Sequence, residues 1–164
     1  MKVIWFLLII IISFYSILAG GIGKDWIGKQ APEFSLRTLE GDTLVNLKKY
    51  RGKVVVIDFW ATWCAPCKKS LPALAYLESL YLKKVKVLAI NIDDSKSNAI
   101  DFLKKYKLNL TTPYDAKKKV VAKYDVPGMP SAIIIDKNGI IQFLHLGYTE
   151  DQLKELRKNI EKLL

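Results

Sequence analysis

The stretch KVVVIDF, Lys53 to Phe59, runs straight into WATWCAPCKK and then into a segment of helical period. The first run is apolar and rich in β-branched residues, the pattern of a strand buried on both faces. The segment after it, CKKSLPALAYLESLY, places Leu71, Leu74 and Leu77 on one helical face. A strand that turns directly into a helix is therefore expected, with Cys64 where the strand ends and Cys67 one turn inside the helix. Pro72 lies within that helix and has no N–H to donate, so a kink is expected there.

Cys64 and Cys67 are the only two cysteines of the chain. A structural zinc site normally needs four protein ligands, usually two such pairs. There is no second pair, and the single histidine, His145, is far along the chain. Attachment of a c-type haem needs a histidine directly after the second cysteine, where Lys68 stands. A purely structural staple is poorly motivated, because so short a loop removes little entropy from the unfolded chain. A redox-active dithiol fits better. Backbone N–H groups at a helix start favour negative charge, which makes Cys64 the attacking thiolate. Cys67 is then the more buried thiol that resolves a mixed disulfide. No metal and no organic cofactor is expected beyond this pair.

Lys2 is followed by twenty uncharged residues, Val3 to Ile22. At a rise of about 1.5 Å per residue such a run can span a bilayer core of roughly 30 Å. It reads as an uncleaved membrane anchor, or alternatively as a secretory signal cleaved near Ala19, Gly20 and Gly21. The division expected is an anchor or signal over residues 1–23 and one domain over residues 24–164. Lys24 and Lys29, on the exported side, oppose the usual charge bias, although long domains translocate largely regardless of charge. Either reading places the domain outside the cytoplasm, at the periplasm or outer face of the cell membrane. Disulfides persist there, and a chain with one dithiol cannot misoxidise within itself.

The net charge is +10. The lysines are spread between apolar positions of expected helices, which is how a solvated face reads. No nucleic-acid motif accompanies them, so nucleic acid is not an expected partner. Attraction to an anionic membrane surface is the other use for such charge.

Elsewhere the chain shows alternating strands and helices. A hairpin turns at Glu40-Gly41-Asp42, and KVKVLAINID, Lys84 to Asp93, is a second strand. SKSNAIDFLKKYK puts Ala99, Phe102, Leu103 and Tyr106 on one helical face, and DAKKKVVAKYD is a short helix. PSAIIIDKNGIIQFLHLG is a strand, a turn at Lys137-Asn138-Gly139 and a partner strand. The closing helix starts at a capping box of Thr149 and Gln152 and buries Leu153, Leu156 and Ile160. The fold class expected is α/β, a central mixed β-sheet flanked by helices. Trp60 reads as core, Pro127 as a turn stiffener, His145 as an ordinary sheet residue, and Glu78 and Asp93 as solvated.

VVVIDFWATWCAPCKK and YDVPGMPSAIIIDKNG together resemble the two signatures of the thioredoxin superfamily. The opening GKQAPEFSLRTLEGD, the leader, and an extra helix and strand between Asn91 and Asp125 resemble the TlpA/ResA-like membrane-anchored thiol-disulfide oxidoreductases. The resemblance implies a thioredoxin-like fold with an N-terminal hairpin and an inserted helix-strand segment. It implies Cys64 as nucleophile, Cys67 as resolving thiol and Asp58 as a buried acid behind the dithiol. The bland alternative for Asp58 is a strand-end residue that reaches solvent. Trp63, Pro66, Met129 and Pro130 would border the substrate, with Pro130 a cis-proline and the Met129 backbone free to pair with an extended chain. Many ResA-like members carry asparagine at the Asp58 position, and some carry a glutamate where Ser70 stands, so any role of that glutamate does not transfer. The implied partners are exported proteins with disulfides, apocytochrome c among them, and a membrane dithiol electron donor. A monomer is expected.

Ala65 and Pro66 place no charge between the cysteines, which argues for a reductant over a strong oxidant. Two rival classes share the fold. A soft dithiol also suits Cu(I), as in a copper-binding assembly factor, although related copper chaperones space their cysteines one residue wider. The N-terminal region resembles peroxiredoxins as well, but those carry threonine where Ala61 stands.

Overall fold

The computed structural model describes residues 26–164. The expectations for the anchor or signal over residues 1–23 lie outside that range. Among the described residues no helix is long and apolar enough to cross a membrane.

The apolar run forms β3 (Val54–Trp60), and every residue of it is buried. It lies at the centre of a four-stranded sheet in the order β4-β3-β5-β6, with β4 (Val85–Asn91), β5 (Ser131–Ile135) and β6 (Ile141–Leu146). β4 runs parallel to β3, while β5 and β6 are antiparallel to their neighbours, so the sheet is mixed as expected. The parallel pair is joined through α1 (Cys67–Leu80), the crossover that parallel strands require. The expected hairpin is present as β1 (Ser35–Arg37) and β2 (Leu44–Asn46), with Gly41 and Asp42 both at positive φ in its turn.

Because side chains alternate along a strand, β3 feeds two cores. Val55, Ile57 and Phe59 face the hairpin and α3 (Lys119–Tyr124), where Val120 and Tyr124 close the layer. Val54 and Val56 face the other way, against Leu74 and Leu77 of α1 and Leu156 and Ile160 of α4 (Glu150–Glu161). Trp60 continues that face into a third cluster with Cys64, Cys67, Leu71 and Phe102 of α2 (Lys96–Lys105). Asp58 lies between Val56 and Trp60 on the same face, under α1 and α4.

Four expectations are corrected. The inserted strand is reduced to three isolated bridges: Leu88 to Thr111 and Asn91 to Tyr114 join the segment to the edge of β4, and Thr38 to Pro113 joins it to the hairpin. Pro113 supplies no N–H there, which limits pairing to single points. Tyr106 falls past the end of α2 and stays exposed, stacking on Phe102 at 4.6 Å between ring centroids. Glu78 is not solvated: it pairs with Lys86 at 2.8 Å and accepts from Val87 N–H, tying α1 to β4. The capping box is half formed. Thr149 accepts from Gln152 N–H, but the Gln152 side-chain amide donates to Leu146 C=O instead of returning to the cap.

Candidate active site

β3 ends at Trp60, whose indole N–H donates to Ala89 C=O at 3.0 Å inside the core, as the core reading of this residue expected. Thr62 follows, and it is held by Asp93. One carboxylate accepts from both Thr62 N–H (2.9 Å) and Thr62 Oγ1 (2.8 Å), and from Asn91 Nδ2 at 2.8 Å. Asp93 is therefore buried and structural, not solvated as its sequence context suggested. Asn91 and Asp93, two positions apart at the end of β4, share a face; that spacing was the available signal for this clamp.

Trp63 then projects into solvent, 66% exposed, and Cys64 and Cys67 are joined as a disulfide with Cα atoms 5.3 Å apart. Cys67 is the first residue of α1, not one turn inside it, and Pro66 stands at the cap position. Proline there suits a helix start, because it has no N–H to leave unsatisfied. Cys64 remains 5% exposed and Cys67 is fully buried. Lys68 and Lys69 both point to solvent.

Pro130 follows a cis peptide bond, as expected. Its carbonyl accepts from Gly147 N–H at 2.8 Å, and Ser131 Oγ donates to Gly128 C=O at 2.5 Å, so the loop before β5 is fixed on both sides. No hydrogen bond among the described residues engages the backbone of Met129. Trp63, Cys64, Pro66, Ile92, Val126 and Met129 line one apolar groove of about 510 Å³. The sequence-predicted substrate residues Trp63, Pro66 and Met129 thus share one groove with Cys64; Pro130 lies in the wall of a second, inner cavity.

Asp58 is 1% exposed, in the middle of β3 between Ala89 and Ala132. It does not reach solvent, so the strand-end alternative is excluded. Among the described residues neither carboxylate oxygen has a hydrogen-bond partner. Burial without compensation pushes its pKa well above the usual carboxylate range. Asp58 shares the inner cavity with Ser70, whose hydroxyl donates to Cys67 C=O at 3.3 Å, and with Pro130. A buried acid whose pKa is raised by burial, next to the first turn of the dithiol helix, is a group able to take up or hold a proton.

Residues 27–144 match the family described as AhpC/TSA. The thiol-disulfide oxidoreductase ResA of Bacillus thuringiensis subsp. konkukian is 36% identical over 139 residues, 84% of this chain and 80% of that protein. The chain belongs to the AhpC/TSA family, among its ResA-like thiol-disulfide oxidoreductases. Solved structures agree. A Chlorobium tepidum protein assigned as the thiol:disulfide interchange protein DsbE superposes with a TM-score of 0.79 at 33% identity, over 84% of this chain and 96% of that one. A secreted disulfide oxidoreductase of Mycobacterium tuberculosis superposes with a TM-score of 0.69 at 25% identity, over 79% and 96%. In the ResA-like family the redox group is a cysteine pair of the protein itself, here Cys64 and Cys67.

Proposed function

We propose that this ResA-like thiol-disulfide oxidoreductase reduces disulfides of exported proteins, with Cys64 attacking and Cys67 resolving. The observation that carries the order of attack is the difference in access: Cys64 lines the groove and keeps 5% exposure, while Cys67 is fully buried. The Cys64 thiolate attacks a target disulfide, and one target sulfur leaves as a thiolate. The Cys67 thiolate then attacks the Cys64 sulfur and expels the second target thiolate. The target gains two electrons and two protons, and the protein is left with the Cys64–Cys67 disulfide.

The other roles follow from position. Asp58 accepts the proton that Cys67 must lose before it attacks. The unpaired backbone of Met129 bonds an extended segment of the target, and Trp63, Pro66 and Pro130 bound its path. The apolar, uncharged groove gives the Cys64 thiolate no cationic partner, which supports a reductant over a strong oxidant. The uncharged run Val3–Ile22 anchors the domain at the outer face of the membrane, where a membrane dithiol donor re-reduces it. Apocytochrome c, which must be reduced before haem is attached, is the target class proposed.

The test is a pair of variants expressed in the native host and run on non-reducing gels. Cys67→Ala should accumulate a thiol-sensitive adduct with its target, and Cys64→Ala should not. An adduct with Cys64→Ala alone would reverse the roles. Equilibration with glutathione reads the direction: a potential near roughly −270 mV fits a reductant, and one near roughly −120 mV an oxidant. The AhpC/TSA family description favours a second reading, a thiol peroxidase. Buried Ala61, in the place of the peroxiredoxin threonine, weighs against it. Peroxide turnover by the protein without any disulfide substrate would establish it.

A further inference from the structure

Two buried acceptors meet in one small cavity behind the dithiol. Among the described residues neither carboxylate oxygen of Asp58 has a partner, and neither does Oε1 of Gln152, a residue in the first turn of α4. The other end of the Gln152 amide donates to Leu146 C=O, and this bond fixes Oε1 as the inward-facing atom. Asp58, Ser70, Pro130, His145, Tyr148 and Gln152 all contribute to the lining, and the cavity measures about 20 Å³. That exceeds the roughly 10–15 Å³ needed to hold one water. A water carries two O–H donors, and the two orphaned groups are both acceptors. Leaving each unpaired costs on the order of 1–3 kcal/mol, so the two have a common remedy.

We propose that this cavity holds one ordered water, which donates to the Asp58 carboxylate and to Gln152 Oε1, making Gln152 a positioning residue for the proton acceptor of the reaction. The water supplies the hydrogen bond that the ionised form of Asp58 otherwise lacks. It also links Asp58 to the surface, because Gln152 is half exposed and α4 leaves its first turn open to solvent. Gln152 is not among the residues that line the groove. It touches neither the target nor the sulfurs, and its effect passes through Asp58 alone. The inference rests on Asp58 as proton acceptor for its kinetic consequence, but not for the water bridge itself.

The titratable groups facing Asp58 across the cavity are His145 on β6 and Tyr148 after it. Burial lowers the His145 pKa, with Glu155 opposing, and burial and then Glu150 raise that of Tyr148, so both are uncharged at neutral pH. α1 contributes Ser70 and Leu74, β5 contributes Ala132, and α4 contributes Gln152, Leu153 and Leu156, none of them ionisable. A pH effect of changing Gln152 therefore reports on Asp58.

The experiment uses the full chain in mild detergent, as parent, Gln152→Leu, Asp58→Asn and the double variant. Gln152→Met, unbranched and similar in length, replaces Gln152→Leu should the latter not fold. Carbon-13 NMR of the Asp58 carboxyl in the oxidised protein should show a higher titration midpoint in Gln152→Leu than in the parent. Stopped-flow kinetics should show resolution of the mixed disulfide slowed roughly fivefold at neutral pH, the rate equivalent of one hydrogen bond. The first attack should be unchanged, and the double variant should be no slower than Asp58→Asn. An unaltered Asp58 midpoint overturns the water bridge, whatever the kinetics. A shifted midpoint with Asp58→Asn resolving at the parent rate keeps the bridge and removes Asp58 from the mechanism. A Gln152→Leu effect that persists in full in the Asp58→Asn background makes Gln152 a structural residue only.

Discussion

Replacing Asp58 by asparagine keeps the shape of the side chain and removes its proton, so the thermodynamic cost of burying this acid can be read directly. In the unfolded chain an aspartate titrates near about 3.9. In the fold its pKa stands well above that range, because burial disfavours the charged form and no protein donor among the described residues compensates it. Below about pH 4 both states carry the proton and the group contributes nothing to pH dependence. Above it the unfolded chain releases the proton while the folded protein keeps it. The stability of the parent then falls by about 1.4 kcal/mol for each pH unit, and the loss is complete once pH passes the folded pKa. The Asp58→Asn variant lacks this dependence. The stability difference between variant and parent should grow in favour of the variant at that slope and then flatten. The pH at which it flattens is the folded-state pKa of Asp58. Urea unfolding of the oxidised proteins from pH 4 to 8, followed by tryptophan fluorescence, measures both. A difference that stays constant over this range would mean that Asp58 titrates as it does in water, and would refute the claim that burial raises its pKa.

Two further substitutions separate contact from support. Trp63→Ala removes a mostly exposed side chain, so stability should change by no more than about 0.5 kcal/mol. Attack on a protein disulfide should slow all the same; a rate equal to that of the parent would show that Trp63 does not touch the target. Asp93→Ala leaves Thr62 N–H, Thr62 Oγ1 and Asn91 Nδ2 without their acceptor. A loss of about 2–4 kcal/mol is expected from breaking a charged buried network, with attack and resolution both slowed. A thermal unfolding midpoint unchanged from the parent would show that the clamp is dispensable.

The dithiol was legible because strand, turn and helix follow one another without interruption from Val54 to Leu80, and local pattern suffices for such a unit. The partners of Cys64 were legible only through the resemblance. Met129 and Trp63 are far apart in the chain, and no periodicity brings them together. Asp58 stood in plain view on an apolar strand, but its burial depends on α4, which covers that face from the far end of the sequence. Asp93 and Glu78 were misread for a common reason. Charge at a strand or helix end usually means solvent, and only tertiary contacts with Thr62 and Lys86 turn these two carboxylates inward. The inserted strand was expected through the resemblance alone, and Pro113, which has no N–H for the ladder, interrupts it. Gln152 was read as half of a cap, a local role; its inward oxygen is visible only once β6 and α4 are packed.

Of the two cysteines Cys64 alone has any exposure, and it lines a single groove. Any donor that reduces the protein and any target that it reduces must therefore visit the same patch in turn, and never together. Steady-state rates should obey a substituted-enzyme law, with parallel lines when one partner's concentration is varied at fixed levels of the other. Each partner then competes with the other for the redox form that it cannot use. The traffic through the molecule is a queue, and its throughput is set by the slower of the two visitors.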